Sequence, residues 1–221
     1  MHLNLNLVKW MIFMSLELDV VLCYMKHKYL YKKNMEKTNV MLIICSVRPN
    51  RLGEKIAMWA NGIMENDPSL DIDLVDLKNF DLPFYNEPIS PLWMKKLGKE
   101  YQNPKGREWA DRVGDANKFV VVTPEYNHHA PASLISAIEW VGPEWEGKNM
   151  LFISYSVGEG GGKLAVQSMT PIMEELKIVK SGELNITNLG SIYKDGPVDN
   201  VEFDRILDTY SESLKHELSN F

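Results

Sequence analysis

The stretch Lys118–Trp140, KFVVVTPEYNHHAPASLISAIEW, changes character twice. KFVVV is a continuous apolar run of the kind a strand covered on both faces requires. TPEYNHHA then breaks it with a proline, a carboxylate, an aromatic ring, an asparagine and two histidines. Pro131 opens an apolar segment, and proline suits the first turn of a helix because that turn has no use for its missing N–H. A helix is expected over Pro131–Val141. Strand, loop and helix in direct succession form half of a parallel βαβ unit.

Outward from there the alternation continues in both directions. VMLIICSV (Val40–Val47) is a second buried strand, and Leu52–Met64 carries Leu52, Ile56, Trp59, Ala60 and Ile63 at helical spacing. DIDLVDL (Asp71–Leu77) is a short strand, Asn79–Asn103 a long proline-rich loop, and Arg107–Ala116 a helix. Downstream come KNMLFISY as a strand, a glycine-rich loop, a helix over Leu164–Leu176, ELNIT as the last strand, and a helix over Val201–Leu218. Strands alternating with helices imply an α/β fold with a parallel sheet and helices on both faces, since right-handed crossovers leave few alternatives. The expected version is a flavodoxin-like three-layer sandwich with strand order 2-1-3-4-5.

The totals fit one such domain. The chain has 221 residues, 45% of them hydrophobic, enough for a sizeable core. A net charge of −6 argues against nucleic acid as a partner. Two cysteines are too few for a disulfide framework, which points to a reducing compartment and a cytoplasmic protein. Residues 1–39 are read as an N-terminal appendage outside the core domain of residues 40–221. Lys9, Glu17 and Asp19 interrupt its apolar part, so no membrane span is expected. A surface-lying amphipathic helix is the alternative reading of that segment.

In open α/β sheets, ligands sit beyond the carboxyl ends of the strands. Three unusual loops follow strands here. SVRPNRLGEK (Ser46–Lys55) offers a hydroxyl, the forks of Arg48 and Arg51, and Gly53 where a helix starts, a combination suited to an anion. Cys45 and Arg51 also have the C-x5-R spacing of a phosphatase loop. Pro49 lacks an N–H to give, however, Leu52 replaces a supporting hydroxyl, and a buried apolar role for Cys45 is preferred. SYSVGEGGGK (Ser154–Lys163) fails the P-loop pattern at Val157 and Leu164, and its glycines permit close backbone approach. In the third loop His128 and His129 are adjacent, a poor metal spacing, and no nucleophile elbow accompanies them.

Taken together, SVRPNRLGEKIAMW, DIDLVDLKNFDLPFYNEP, PEYNHHAPASLISAIEW and EWEGKNMLFISYSVGEGGG resemble the NADPH-dependent FMN reductase family of flavodoxin-like proteins, over about Val40–Ile186. The resemblance implies FMN as cofactor, NADPH or NADH as co-substrate, and a quinone, flavin or similar small-molecule electron acceptor. It assigns Ser46, Arg48 and Arg51, with Leu52 and Gly53 at the helix start, to the FMN phosphate. Pro124, Glu125, Tyr126 and Asn127 would line the isoalloxazine, and Tyr155, Ser156, Gly158, Gly160 and Gly161 would close its other side. No side chain is expected to act as a catalytic acid or base, because hydride chemistry belongs to the flavin. The likeness also implies a homodimer or homotetramer, with Trp93–Tyr101 as a contact region. The competing readings are a cysteine phosphatase using Cys45 and Arg51, and a non-catalytic flavodoxin-like binding module. The chain departs from the family pattern at Cys45 and Ser156, where glycine is common.

Overall fold

The computed structural model describes residues 37–193 and 198–221. The appendage assigned to residues 1–39 lies outside the described residues as far as residue 36, and the first strand already begins at Thr38.

Five parallel strands form one sheet in the order β2-β1-β3-β4-β5. They are β1 (Thr38–Ile44), β2 (Leu70–Asp76), β3 (Lys118–Pro124), β4 (Asn149–Tyr155) and β5 (Val179–Ile186). The helices are α1 (Leu52–Met64), α2 (Leu77–Phe80), α3 (Pro91–Lys96), α4 (Pro104–Asp115), α5 (Ala132–Glu139), α6 (Lys163–Ser168), α7 (Thr170–Glu175), α8 (Asn200–Thr209) and α9 (Ser211–Ser219).

The period of two along each central strand divides the interior into two cores. Met41, Ile43, Phe119, Val121, Met150 and Phe152 face Trp109, Leu134, Trp140 and Met169 from α4, α5 and the α6–α7 pair. Val40, Leu42, Val120, Val122, Leu151 and Ile153 face Ile56, Ala60, Phe203 and Leu214 from α1, α8 and α9. Every one of these strand side chains is fully buried. Each contributes roughly 1.5–3 kcal/mol of transfer free energy, which is why the central strands tolerate no polar alternation.

Five elements differ from the sequence reading, one of them β5, which starts at Val179, four residues before the expected ELNIT. The loop expected over Asn79–Asn103 contains α3, opened by Ser90 and Pro91. Helix α4 starts at Pro104, earlier than expected, because the Asn103 side chain accepts from the N–H groups of Lys105 and Gly106. The helix expected over Leu164–Leu176 is split at Met169, with Pro171 in the first turn of α7. The final helix is likewise two, α8 and α9, joined at Tyr210. Among the described residues no helix is long and apolar enough to cross a membrane.

Register places the site. Ile44 pairs with Asp76 on one side and Val122 on the other, and Pro124 pairs with Tyr155. The loops leaving β1, β3 and β4 therefore emerge side by side at one end of the sheet. The strand order reverses between β1 and β3, the position where such sheets open a crevice.

Candidate functional site

The loop after β1 is built around two arginines in opposite circumstances. Arg51 is buried, with its side chain 4% exposed. Its Nη1 donates to the Ser46 carbonyl at 2.9 Å, and its Nη2 reaches Glu54 at 3.3 Å and also pairs with Asp76. These bonds fold the loop back on the end of β2. Arg48 is exposed and lays its guanidinium over the Tyr126 ring, 3.7 Å from the centroid. Such stacking is worth about 0.5–1 kcal/mol at an accessible site, little enough for a stronger anionic partner to displace.

Three hydroxyls brace the loop from behind. Ser46 Oγ lies 2.7 Å from Tyr126 Oη. The Tyr155 hydroxyl sits against the first turn of α1, where a Cβ on Gly53 would come within 2.5 Å of it. That contact requires glycine at position 53. Burial is the main reason the Tyr155 hydroxyl is held in its protonated form, with the neighbouring Tyr126 and Cys45 adding to the effect.

The PEYNHH segment after β3 is a tight reverse turn. Tyr126 and His129 exchange both backbone hydrogen bonds at 3.0 Å, while Asn127 and His128 have φ of 53° and 60°. Two consecutive left-handed residues define the hairpin turn that asparagine favours. Glu125 points the other way. Its Oε2 accepts from the Leu164 N–H at 3.1 Å and its Oε1 lies 3.1 Å from His128 Nδ1. Helix α6 has no side-chain cap of its own, so a carboxylate from another loop serves its N-terminus and ties the β3 and β4 loops together.

These pieces surround a cleft of about 360 Å³ lined by Ser46, Arg48, Arg51, Leu52, Pro124, Glu125, Tyr126, Tyr155 and Ser156. Pro49, Asn50 and Val157 line it too, although the sequence reading did not select them. Five expected residues are not part of the lining. Gly53 is behind it, covered by the Tyr155 hydroxyl. Asn127 sits exposed at the turn tip. Gly158, Gly160 and Gly161 fall outside because the glycine-rich loop folds towards β5. The Gly158 carbonyl accepts from Asn188 at 2.9 Å, and the Gly161 carbonyl accepts from Ser154 Oγ at 2.8 Å. A Cβ on Gly161 would meet Thr187 at 2.8 Å, whereas Gly160 has open space around it.

The sequence reading also missed Asp76, the partner of Arg51. The proposed strand order already set the end of β2 beside the end of β1, so an acidic residue there was the available signal. The phosphatase alternative fails on geometry. Cys45 is fully buried in the core on the α5 side and absent from the cleft lining. Burial raises its thiol far above the ordinary value of 9.0, so no thiolate is available as a nucleophile. Among the described residues no cluster of three or more His, Cys, Asp or Glu side chains could hold a metal ion.

The cleft fits a phosphate-bearing ligand on two observations. Arg51 Nε is buried with no acceptor among the described residues, an unfilled donor at the cleft wall. Among the described residues no acceptor takes the N–H groups of Val47, Arg48 or Asn50, and Arg51, at the head of α1, provides no side-chain cap. Amides left open at a helix start, with a nearby guanidinium, make an anion site.

A doubly wound parallel sheet with such a cleft at its switch point belongs to the flavodoxin-like class. More particularly, the chain belongs to the NADPH-dependent FMN reductase family, whose sequence profile matches residues 38–188. An NAD(P)H-dependent FMN reductase of Schizosaccharomyces pombe is 35% identical over 129 residues, covering 58% of this chain and 62% of that protein. An NAD(P)H-dependent FMN reductase of Saccharomyces cerevisiae is 37% identical over 131 residues, covering 56% of this chain and 68% of that one. The match thus spans less than two thirds of the fission-yeast relative. Among solved structures, the flavoenzyme NAD(P)H:(acceptor) oxidoreductase FerB of Paracoccus denitrificans superposes with a TM-score of 0.54. It shares 22% identity, with 80% of this chain and 94% of that chain covered, and this likeness shows the shared fold.

Proposed function

We propose that the chain is an FMN-dependent NAD(P)H oxidoreductase that passes reducing equivalents from NADH or NADPH to a quinone, a flavin or a similar small acceptor. The observation that carries the reading is the meeting of the β1, β3 and β4 loops in one cleft that combines an exposed arginine, unpaired amides and tyrosine-lined walls. The family match and the names of the yeast relatives support it. Bound FMN would supply the hydride-accepting and hydride-donating chemistry.

The chain's own residues do the holding. Arg48 and the open amides of Val47 and Asn50 take the phosphate, while Arg51 fixes the loop that presents them. Leu52 and Gly53 set the helix start against the Tyr155 hydroxyl. Pro124, Glu125 and Tyr126 form the wall on the β3 side, and Tyr155 and Ser156 the wall on the β4 side. Asn127, Gly158, Gly160 and Gly161 lie outside the lining and are assigned no part in the holding.

The residues before Thr38, where β1 begins, are assigned to an appendage outside the domain, and a cytoplasmic homodimer or homotetramer is the expected form. Leu92, Trp93 and Leu97 are exposed and available for subunit contact, while Tyr101 is buried and packs with Trp140 at 6.1 Å between ring centroids. The test is anaerobic mixing of FMN-loaded protein with NADH or NADPH, followed by addition of a benzoquinone. Bleaching of the flavin and its recovery on adding quinone support the proposal. A protein that takes up no FMN is instead a non-catalytic module of the same fold.

A further inference from the structure

Two more clefts flank the first, and their charges differ. One shares Arg51 and is floored by Met58 and Trp59, but it carries Glu54, Asp204 and Asp208. Its lysine, Lys55, is already 3.8 Å from Asp204. Three carboxylates make it hostile to an anion.

The other, about 410 Å³, lies across the β1 loop, with Val47 as the shared wall between Ser46 and Arg48 of the first cleft. Its lining brings together Lys78, Phe84, Ser133 and Ser136. Phe84 is 79% exposed, an unusual state for a phenyl ring, and it offers a flat apolar face. Helix α5 begins here without a side-chain cap, and no acceptor among the described residues takes the N–H groups of Ala132 or Ser133. Ser133 Oγ is spent on the Cys45 carbonyl, which ties α5 to the same loop. Ser136 is 8% exposed, and its Oγ has no hydrogen-bond partner among the described residues. Lys78 makes no ion pair among the described residues.

We infer that this cleft takes the adenosine-phosphate half of the nicotinamide cofactor, an inference that rests on the flavin reading of the first cleft. The phosphate goes to Lys78, the α5 amides and the Ser136 hydroxyl, which together supply a positive charge, a helix N-terminus and a buried unfilled donor. The adenine stacks on Phe84, as bases do on accessible aromatic rings. Asp81, also in the lining, accepts from ribose hydroxyls. A dinucleotide needs two adjoining clefts with one wall between them, and the β1 loop is that wall.

The probe is 5′-AMP titrated calorimetrically into FMN-loaded protein, with Lys78→Glu and Phe84→Ala as variants. Both side chains are exposed, so the fold is not at stake. Lys78→Glu is expected to weaken 5′-AMP about tenfold or more and Phe84→Ala about fivefold, while both variants retain FMN like the wild type. A wild-type protein that ignores millimolar 5′-AMP, or variants that bind it as well as wild type does, would overturn the inference. Protein that stays colourless with added FMN sinks the flavin reading instead, so the two failures are separable.

Discussion

The loops after β1 and β4 both carry the marks of an anion cradle, and they end in different roles. The β1 loop has a single glycine, Gly53, yet it forms a cleft wall with unpaired amides and a free-standing Arg48. The β4 loop has four glycines between Gly158 and Gly162, yet it turns towards β5 and binds its own carbonyls to Asn188 and Ser154. Glycine content reports conformational permission, and what a loop does with it depends on the neighbours that satisfy its backbone. Arg51 makes the difference. By holding the Ser46 carbonyl from one side and Asp76 from the other, it keeps the β1 loop open while consuming none of the amides of Val47, Arg48 or Asn50.

The largest way to break that contrast is Arg51→Ala. It leaves Asp76, 14% exposed at its side chain, without its buried partner. A stability loss of about 3 kcal/mol or more is expected in urea unfolding, together with loss of FMN uptake. Arg48→Ala sharpens the comparison within the same loop. Its side chain is exposed and gives up only the stacking on Tyr126, so unfolding should shift by no more than about 1 kcal/mol. FMN affinity should fall about tenfold or more, the scale of one charge-assisted hydrogen bond. Equal behaviour of the two variants would show that the brace and the ligand group had been wrongly separated.

A smaller effect comes from the thiol beneath the loop. The folded state raises the Cys45 pKa above its ordinary 9.0. Below about pH 9 both states keep the proton, and the native state has its full advantage. As pH rises further the unfolded chain releases a proton that the native chain retains, so stability falls by up to about 1.4 kcal/mol per pH unit. Cys45→Ala should flatten this alkaline slope in unfolding curves taken at pH 8, 9 and 10. An unchanged slope would mean that the thiol is not sealed in the core. The smallest effect is Gly160→Ala, where an added Cβ meets nothing within 4 Å. Stability and FMN affinity are both expected within about 0.5 kcal/mol of wild type, and a large loss would restore the glycine-rich loop to the cleft.

The central strands were legible because burial on both faces writes itself as continuous apolar runs, and the three neighbouring loops followed from the strand order. Helix α3 was hidden by the density of prolines around it, although Ser90 and Pro91 are a valid start signal. The turn at Asn127 and His128 was readable as a turn, but its position outside the cleft was not, since that depends on the tertiary pairing of Tyr126 with His129. Glu125 offered an ambiguous carboxylate, and only the approach of α6 reveals it as a cap for another loop's helix. Arg51 looked like a ligand group and is a brace, because the Asp76 that engages it lies on a neighbouring strand.

The most direct measurement compares FMN with riboflavin, which lacks the phosphate, by quenching of flavin fluorescence on titration with the protein. If the β1 loop grips the phosphate, FMN should bind about a hundredfold more tightly than riboflavin, with the gap closing towards tenfold in Arg48→Ala. Equal affinity for the two flavins in the wild-type protein would contradict the account.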